Sequence, residues 1–269
     1  MSSNPEYVLP VNETEWDRLD AQSNGMDAYL GKLVPEAVTA PKKILEIGAG
    51  SGAWAIKVAK QFPDAEVIAA DMNPLPERPI PSNLKYEKVN AIEPFPFAAG
   101  SFDVVHTRLT LCHLPGGRDE VLPRMIDLVA PGGYLVIDDI NWQTNFDKLD
   151  NAANIKAALG FIIGSTKALK GDPHFGTGLK TALEGSSKLT DVRVEEIEAS
   201  LNGPPAGTDA RIGTFSRLFR ETLTRAVAGA PLTDEAQKTM QKNFLEEMGN
   251  DKLEWNYNVG FYFASAKKV

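Results

Sequence analysis

Glycines fall at every second position in Ile44-Leu-Glu-Ile-Gly-Ala-Gly-Ser-Gly52. The stretch lies between an apolar run that reads as a strand, Lys43 to Ile47, and a segment that reads as a helix, Ala53 to Phe62. Gly48 and Gly50 let the backbone pass close to a ligand, and the helix start near Gly52 offers free N–H groups and a positive dipole end. Alone the pattern is ambiguous, because Gly48-x-Gly50-x-x-Ala53 also satisfies the dinucleotide fingerprint with its permitted final alanine. Three further positions narrow it. Glu46, two residues before the first glycine, repels a pyrophosphate but suits a ligand bearing an amino group. Asp71 follows a second apolar run, Glu66 to Ala70, where a carboxylate can accept both ribose hydroxyls. Asn90-Ala91 follows a third, Leu84 to Val89, where a small polar residue can meet an adenine edge. This charge pattern matches an aminoacyl sulfonium nucleoside, S-adenosyl-L-methionine (SAM), better than NAD.

The elements that must position these residues alternate in the manner of a parallel α/β sheet. After the first three strands, Phe102 to Thr107 reads as a fourth and Arg118 to Val129 as a helix stopped by Pro131-Gly132-Gly133. Tyr134 to Ile137 reads as a fifth strand. Residues 141–188 break the rhythm with a mostly helical stretch that includes Asn151 to Lys170. Val192 to Leu201 resumes as a strand, then a Gly-Pro-Pro loop leads into helical patterns over Thr208–Ala228 and Thr233–Met248. Tyr257 to Ala266 is a last, β-prone run expected to pair antiparallel. The expected fold is thus a Rossmann-like, seven-stranded, mostly parallel sheet with an antiparallel last strand and helical insertions.

With this order in place the sequence resembles the class I SAM-dependent methyltransferases. The resemblance rests on Glu46-x-Gly-x-Gly-x-Gly52, Asp71, Asn90-Ala91, Gly100-Ser-Phe-Asp-Val-Val-His106 and Leu128-Val-Ala-Pro-Gly-Gly-Tyr-Leu-Val136, in the family's order. It covers residues 40–140 well and continues more loosely through Phe175-Gly-x-Gly-x-Leu to the last strand. The opening Leu9-Pro-Val-Asn-x-x-Glu-x-x-Arg-Leu-Asp20, with Gln22, is similar to fungal natural-product methyltransferases and their global-regulator relatives. Carried over position by position, the resemblance implies that Gly48, Ala49 and Gly50 contact the methionine part, with Glu46 nearby. It implies that Asp71 holds the ribose, Met72 packs on the adenine, and Asn90 and Ala91 read its edge. Arg108 would line the cofactor side. Trp54, where a small or aliphatic residue is common, is counted with the cofactor residues as well. The plainer alternatives are that Glu46 caps the helix, Asp71 serves as a turn residue and Met72 as core. Residues 1–40 are expected to close over the cofactor, with Gln22 and Tyr29 touching it, since such covers shield a reacting sulfonium from water.

Methyl transfer from a sulfonium is a displacement with a good leaving group, so the protein mainly aligns donor and acceptor and excludes water. A hydroxyl acceptor also needs a base. His113 and His174 are the candidate catalytic residues: the first sits at the ligand-binding edge after the fourth strand, the second in the insertion after the fifth. Packing under the loop before Pro115, and a plain loop position, are the respective alternatives. His106, inside the fourth strand, reads as a core or near-cofactor histidine. Asp138, Asp139 and Asn141 could suggest a magnesium site, but that arrangement also wants a carboxylate where the chain has Thr107-Arg108-Leu109, so no metal is expected. Among the aromatics of the insertions, Phe146, Phe161, Phe215 and Phe219 suit a core, whereas Trp142 and Phe175 occupy loop positions and are expected to line the acceptor pocket.

Composition sets the outer limits. Across 269 residues, 43% are hydrophobic and 24% charged, as in ordinary soluble domains, and the net charge is -8. No basic cluster exceeds a pair such as Lys42-Lys43, which argues against nucleic-acid partners and acidic membranes. The lone Cys112 excludes an internal disulfide and fits a reducing, cytoplasmic setting. One domain is expected, with a SAM-binding core at 41–140 and last strands at 189–200 and 255–269. The remaining segments, 1–40, 141–188 and 201–254, would surround one site. The expected activity is methyl transfer to a small, largely apolar natural-product acceptor, with oxygen slightly favoured over nitrogen or sulfur. A SAM-binding regulator and a cyclase-like use of the sulfonium are the alternatives.

Overall fold

A computed structural model of the chain describes residues 12–142, 149–203, 207–229, 232, 234–250, 253 and 255–269. The motif's opening residues Leu9 to Val11, together with Phe146, Pro204, Pro205 and Thr233, lie outside them.

Seven strands form one sheet in the order β3-β2-β1-β4-β5-β7-β6. They are β1 (Lys43–Ile47), β2 (Glu66–Asp71), β3 (Leu84–Lys88), β4 (Phe102–Arg108), β5 (Val129–Asn141), β6 (Leu189–Ser200) and β7 (Asn258–Lys268). The first five pair parallel, and β7 runs antiparallel between β5 and β6. Alternation along β1, β2 and β4 divides the apolar side chains between two faces. Ile44, Val67 and Val104 meet Ala55, Val58 and Ala59 of helix α2 (Ala53–Gln61). Leu45, Ile68 and Val105 join a larger core that includes Met125 and Ile126 of α3 (Leu122–Leu128).

Two elements differ from the sequence expectation. Pro131-Gly132-Gly133 does not end a helix before a fresh strand; it is a bulge inside a thirteen-residue β5. Phe102 pairs with Val129 and Val104 already pairs with Tyr134, so β5 loops out between them. Gly132 makes the loop possible at φ +79°, and a side chain on Gly133 would come within 2.7 Å of the Asp103 carbonyl. The helix expected from Arg118 starts as a π-helical turn, Gly117–Val121, before α3.

The insertions supply α4 (Ala153–Ala168), α5 (Leu179–Glu184), α6 (Ala210–Gly229) and α7 (Glu235–Met248). The N-terminal segment is helix α1 (Glu13–Leu30), capped by the Asn12 side chain on the Glu15 N–H and stopped by Gly31 in the left-handed region. Its buried face mixes Glu15, Arg18 and Ser23 with Gly25, Met26 and Tyr29, so no apolar stripe announces it in the sequence.

Candidate active site

All three glycines of the loop after β1 adopt positive φ: +73° at Gly48, +54° at Gly50 and +72° at Gly52. Their lack of side chains is used. A Cβ at Gly48 would lie 2.2 Å from Thr110 Oγ1, and one at Gly52 2.8 Å from a methyl of Leu75. At Gly50 the nearest atom is a methyl of Leu19 on α1, at 3.3 Å. The loop is thus roofed by three different segments. Arg78 ties two of them together, donating to Asp20 of α1 at 2.5 Å and to the Ser51 carbonyl of the loop.

Asp71, the last residue of β2, reaches back over this loop. Its Oδ2 accepts the Gly50 N–H at 2.9 Å, and Oδ1 accepts that of Asn73 at 2.9 Å. Burial raises its pKa above the ordinary value, against the pull of these bonds. Met72, half-buried, follows directly. Past β3, Asn90 accepts the Ile92 N–H and donates to Glu93. Arg124 of α3 then pins the carbonyls of Ala91, Ile92 and Glu93. No sequence spacing pointed to Thr110, Arg78 or Arg124.

Glu46 is buried, and its Oε2 accepts the Ala55 N–H at 3.1 Å, so its carboxylate does cap the first turn of α2. Its other oxygen lies 3.3 Å from His106 Nδ1, whose partner nitrogen is 3.5 Å from Asp138 Oδ2. Burial opposes charge on His106, but Asp138 and Glu46 outweigh it and raise the pKa above the usual histidine value. Burial also raises Glu46, whereas the Arg108 charge overcomes burial at Asp138 and holds it below the usual carboxylate range. Arg108 continues the chain, bonding Asp138 at 2.7 Å, Asp27 of α1 at 2.9 Å and the Ser23 hydroxyl at 3.1 Å. Lys57 of α2 closes it on Asp27. Charges therefore alternate from the glycine loop's own strand to the helix that covers it.

Several expected ligand contacts are placed elsewhere. Trp54 is 1% exposed, donates its indole N–H to the Leu33 carbonyl and stacks on His106 at 3.8 Å, so it packs beneath the glycine loop. Tyr29 donates to Glu195 at 2.5 Å and stacks on Phe263, which fastens α1 to the β7–β6 side of the sheet. Phe175 is fully buried under the Arg118 guanidinium. Each is aromatic and close in sequence to a loop; what sequence lacks is the direction in which the ring points.

The residues expected to meet the acceptor follow β4 and β5 at the same carboxyl edge. The chain leaves β4 through Leu109, a non-glycine residue at φ +48°, and enters a single 3-10 turn, Leu111–His113. The His113 side chain is exposed at the end of this turn. Burial, with the charge of Arg18 adding to it, pushes its imidazole down to about 4. His174 is held by its neighbours instead: its Nδ1 is 3.1 Å from Asn141 Oδ1, and its backbone N–H donates to Asp172. Trp142 is 8% exposed and packs on Phe219 of α6, and its indole N–H has no partner among the described residues. Gln22, which accepts from Arg18 at 3.1 Å, lines a narrow crevice between α1 and α6 with Phe215 and Phe219. Among the described residues no group of His, Cys, Asp and Glu could hold a metal ion, and no helix is long and apolar enough to cross a membrane.

The positive-φ glycines, the half-buried Asp71 carboxylate and the braced loop at Asn90–Glu93 fit a nucleoside with an amino-acid tail. Comparisons with known proteins agree. A family model described as a methyltransferase domain matches residues 23–159. The methyltransferase str2 of Strobilurus tenacellus is 49% identical over 266 residues, covering 97% of this chain and 96% of that protein. The secondary metabolism regulator laeA of Coprinopsis cinerea is 25% identical over 277 residues, covering 95% of this chain and 66% of that one. Two solved structures share the fold. The Haemonchus contortus phosphoethanolamine N-methyltransferase 2, solved with S-adenosylhomocysteine, has a TM-score of 0.55 at 16% identity, covering 91% of this chain and 52% of that one. The geranyl diphosphate C-methyltransferase of Streptomyces coelicolor, also solved with S-adenosylhomocysteine, has a TM-score of 0.52 at 13% identity, covering 99% and 86%. Both the fold and the SAM cofactor expected from the sequence agree with these findings, and the chain belongs to the methyltransferase-domain family.

Proposed function

We propose that the protein transfers a methyl group from SAM to a small, largely apolar acceptor of natural-product type, with oxygen as the favoured receiving atom. The supporting observation is the junction at the carboxyl edge of the sheet, where the glycine loop meets a wall made by α1, α6 and the ends of β4 and β5. Bound at that loop, SAM supplies an electrophilic methyl on a cationic sulfur. The chain's residues do the rest. Asp71 accepts ribose hydroxyls, and the loop at Asn90 and Ala91, braced by Arg124, meets the base. Helix α1 roofs the loop through Leu19, and with Gln22, Phe219 and Trp142 it keeps water from the reacting atoms. His113, exposed at the turn after β4 and neutral at pH 7, is the first candidate to take the acceptor's proton. His174, tied to Asn141, is the second candidate for that role.

Calorimetric titration with SAM tests the cofactor assignment, and Asp71→Ala is expected to weaken binding by about 2–3 kcal/mol, as loss of paired hydrogen bonds does. Unchanged affinity in that variant overturns the ribose role. Incubation with labelled SAM and a metabolite extract of the source organism tests the activity. A labelled small molecule supports the enzyme. SAM binding without small-molecule label instead supports a SAM-dependent regulator, the reading suggested by the similarity to laeA.

A further inference from the structure

Beneath the turn that carries His113 lies an acid that the reaction as described does not use. Asp139 of β5 is fully buried; its Oδ2 accepts the Cys112 N–H at 3.3 Å and its Oδ1 accepts the Ile140 N–H at 2.9 Å. The turn is held from other sides as well. The Cys112 carbonyl accepts the Asp172 N–H at 2.8 Å, and Arg118 holds the Asp172 carboxylate at 3.1 Å. Gly117 and Gly171 crowd the turn so closely that a Cβ at either would lie 2.2 Å or 2.5 Å from the Leu111 or Cys112 carbonyl. A side chain that replaced either hydrogen would push the turn away. Of the two carboxylates in this clamp, that of Asp139 is the one that bonds the turn's own backbone N–H.

We propose that Asp139 is a positioning residue for the methyl-transfer site: its carboxylate holds the turn Leu111–His113 from below and fixes the direction of the His113 imidazole. The kinetic part of this proposal rests on the reading of His113 as the base. An ionised carboxylate offers lone pairs to the Cys112 N–H; once protonated, the same group needs an acceptor of its own and loosens its hold. Burial pushes Asp139 up to about 7. The titratable group in contact with it is the Cys112 thiol, which burial and Asp139 together keep protonated, with Asp172 adding to that effect. Across the sheet, Tyr262 of β7 pairs in register with Asp139 but donates its hydroxyl to Glu196. The clamp is therefore firm above about 7 and slackens as the pH falls through that value.

The test begins on the free protein, with the His113 ring resonance, assigned by its loss in His113→Asn, followed by NMR from pH 5 to 9. The wild type is expected to show an inflection near 7 that does not belong to His113's own titration. Asp139→Asn, of the same size, should abolish it, and Cys112→Ala, which removes a donor to the carboxylate, should move it upward. Transfer of labelled methyl into the metabolite extract supplies the second readout. Asp139→Asn should lower its maximal rate about tenfold to a hundredfold, as misplacement of a reacting group does. An inflection that persists in Asp139→Asn overturns the proposal, as does an unchanged rate in a folded Asp139→Asn when His113→Asn has lost activity. If His113→Asn retains the wild-type rate while Asp139→Asn loses the inflection, the hold on the turn stands and the assignment of His113 as base fails.

Discussion

His106 never meets solvent, yet the carboxylates of Asp138 and Glu46 on the two adjacent strands raise its pKa above the usual histidine value. Breaking such a buried network from one end costs far more than the network contributes net, because a desolvated charge is left behind. Asp138→Asn, which strips both His106 and Arg108 of their partner, should lower unfolding free energy by about 3–5 kcal/mol in a denaturant titration. The sign of the pH effect follows from the raised pKa. The stabilisation from charged His106 is fully present below the unfolded histidine value and is lost as pH rises through the higher folded one. Wild-type thermal stability should therefore fall across that window, and His106→Gln should flatten the fall. None of this was legible from sequence. The residues that build the network stand on three strands and two helices, and only pairing in the sheet brings them together. The glycine loop was legible because its chemistry is local: three positive φ angles within five residues demand three glycines.

At the scale of elements, α1 could be read only as a cover of unknown structure. It lies against α6, and at their contact Gly25 brings the backbone close to Leu218. A Cβ there would sit 3.4 Å from Leu218 Cδ1, an ordinary contact, so alanine fits and a larger side chain does not. Gly25→Ala should raise stability by up to about 1 kcal/mol through helix propensity. Gly25→Leu should cost about 1–3 kcal/mol by overpacking. Chemical unfolding of the two variants checks both signs; a stable Gly25→Leu would mean that α1 does not dock on α6 this way. Strands β1, β2 and β4 lie at nearly their expected limits, since both faces are covered and the apolar runs are dense, and the mostly exposed β3 ends within a residue of its expected limit. The extent of β5 was missed, because Pro-Gly-Gly carries the same local signal in a turn and in a bulge.

At the scale of the molecule, the expected single domain is a proposal that the shared sheet supports. The segments beyond residue 140 contribute β6 and β7, and β7 pairs with β5 as well as with β6, so their two strands extend the same sheet, while α6 packs on α1. Thermal unfolding should then be one transition, with calorimetric and van't Hoff enthalpies that agree; two separated transitions would divide the chain after all. Reading the overall architecture succeeded where order along the chain predicts order in space. The wall beside the glycine loop is assembled from α1, α6 and the ends of β4 and β5, segments that order along the chain does not bring together. The place of β7 carries a consequence for synthesis. It is the last strand in sequence but an interior one in space, flanked by β5 and β6. While the ribosome is still making it, β5 presents an open row of backbone donors and acceptors, the kind of edge that recruits strands from other chains. A nascent chain stalled before Asn258 would thus hold most of a folded sheet with one sticky margin, and chaperone capture at that stage should release when the final strand arrives.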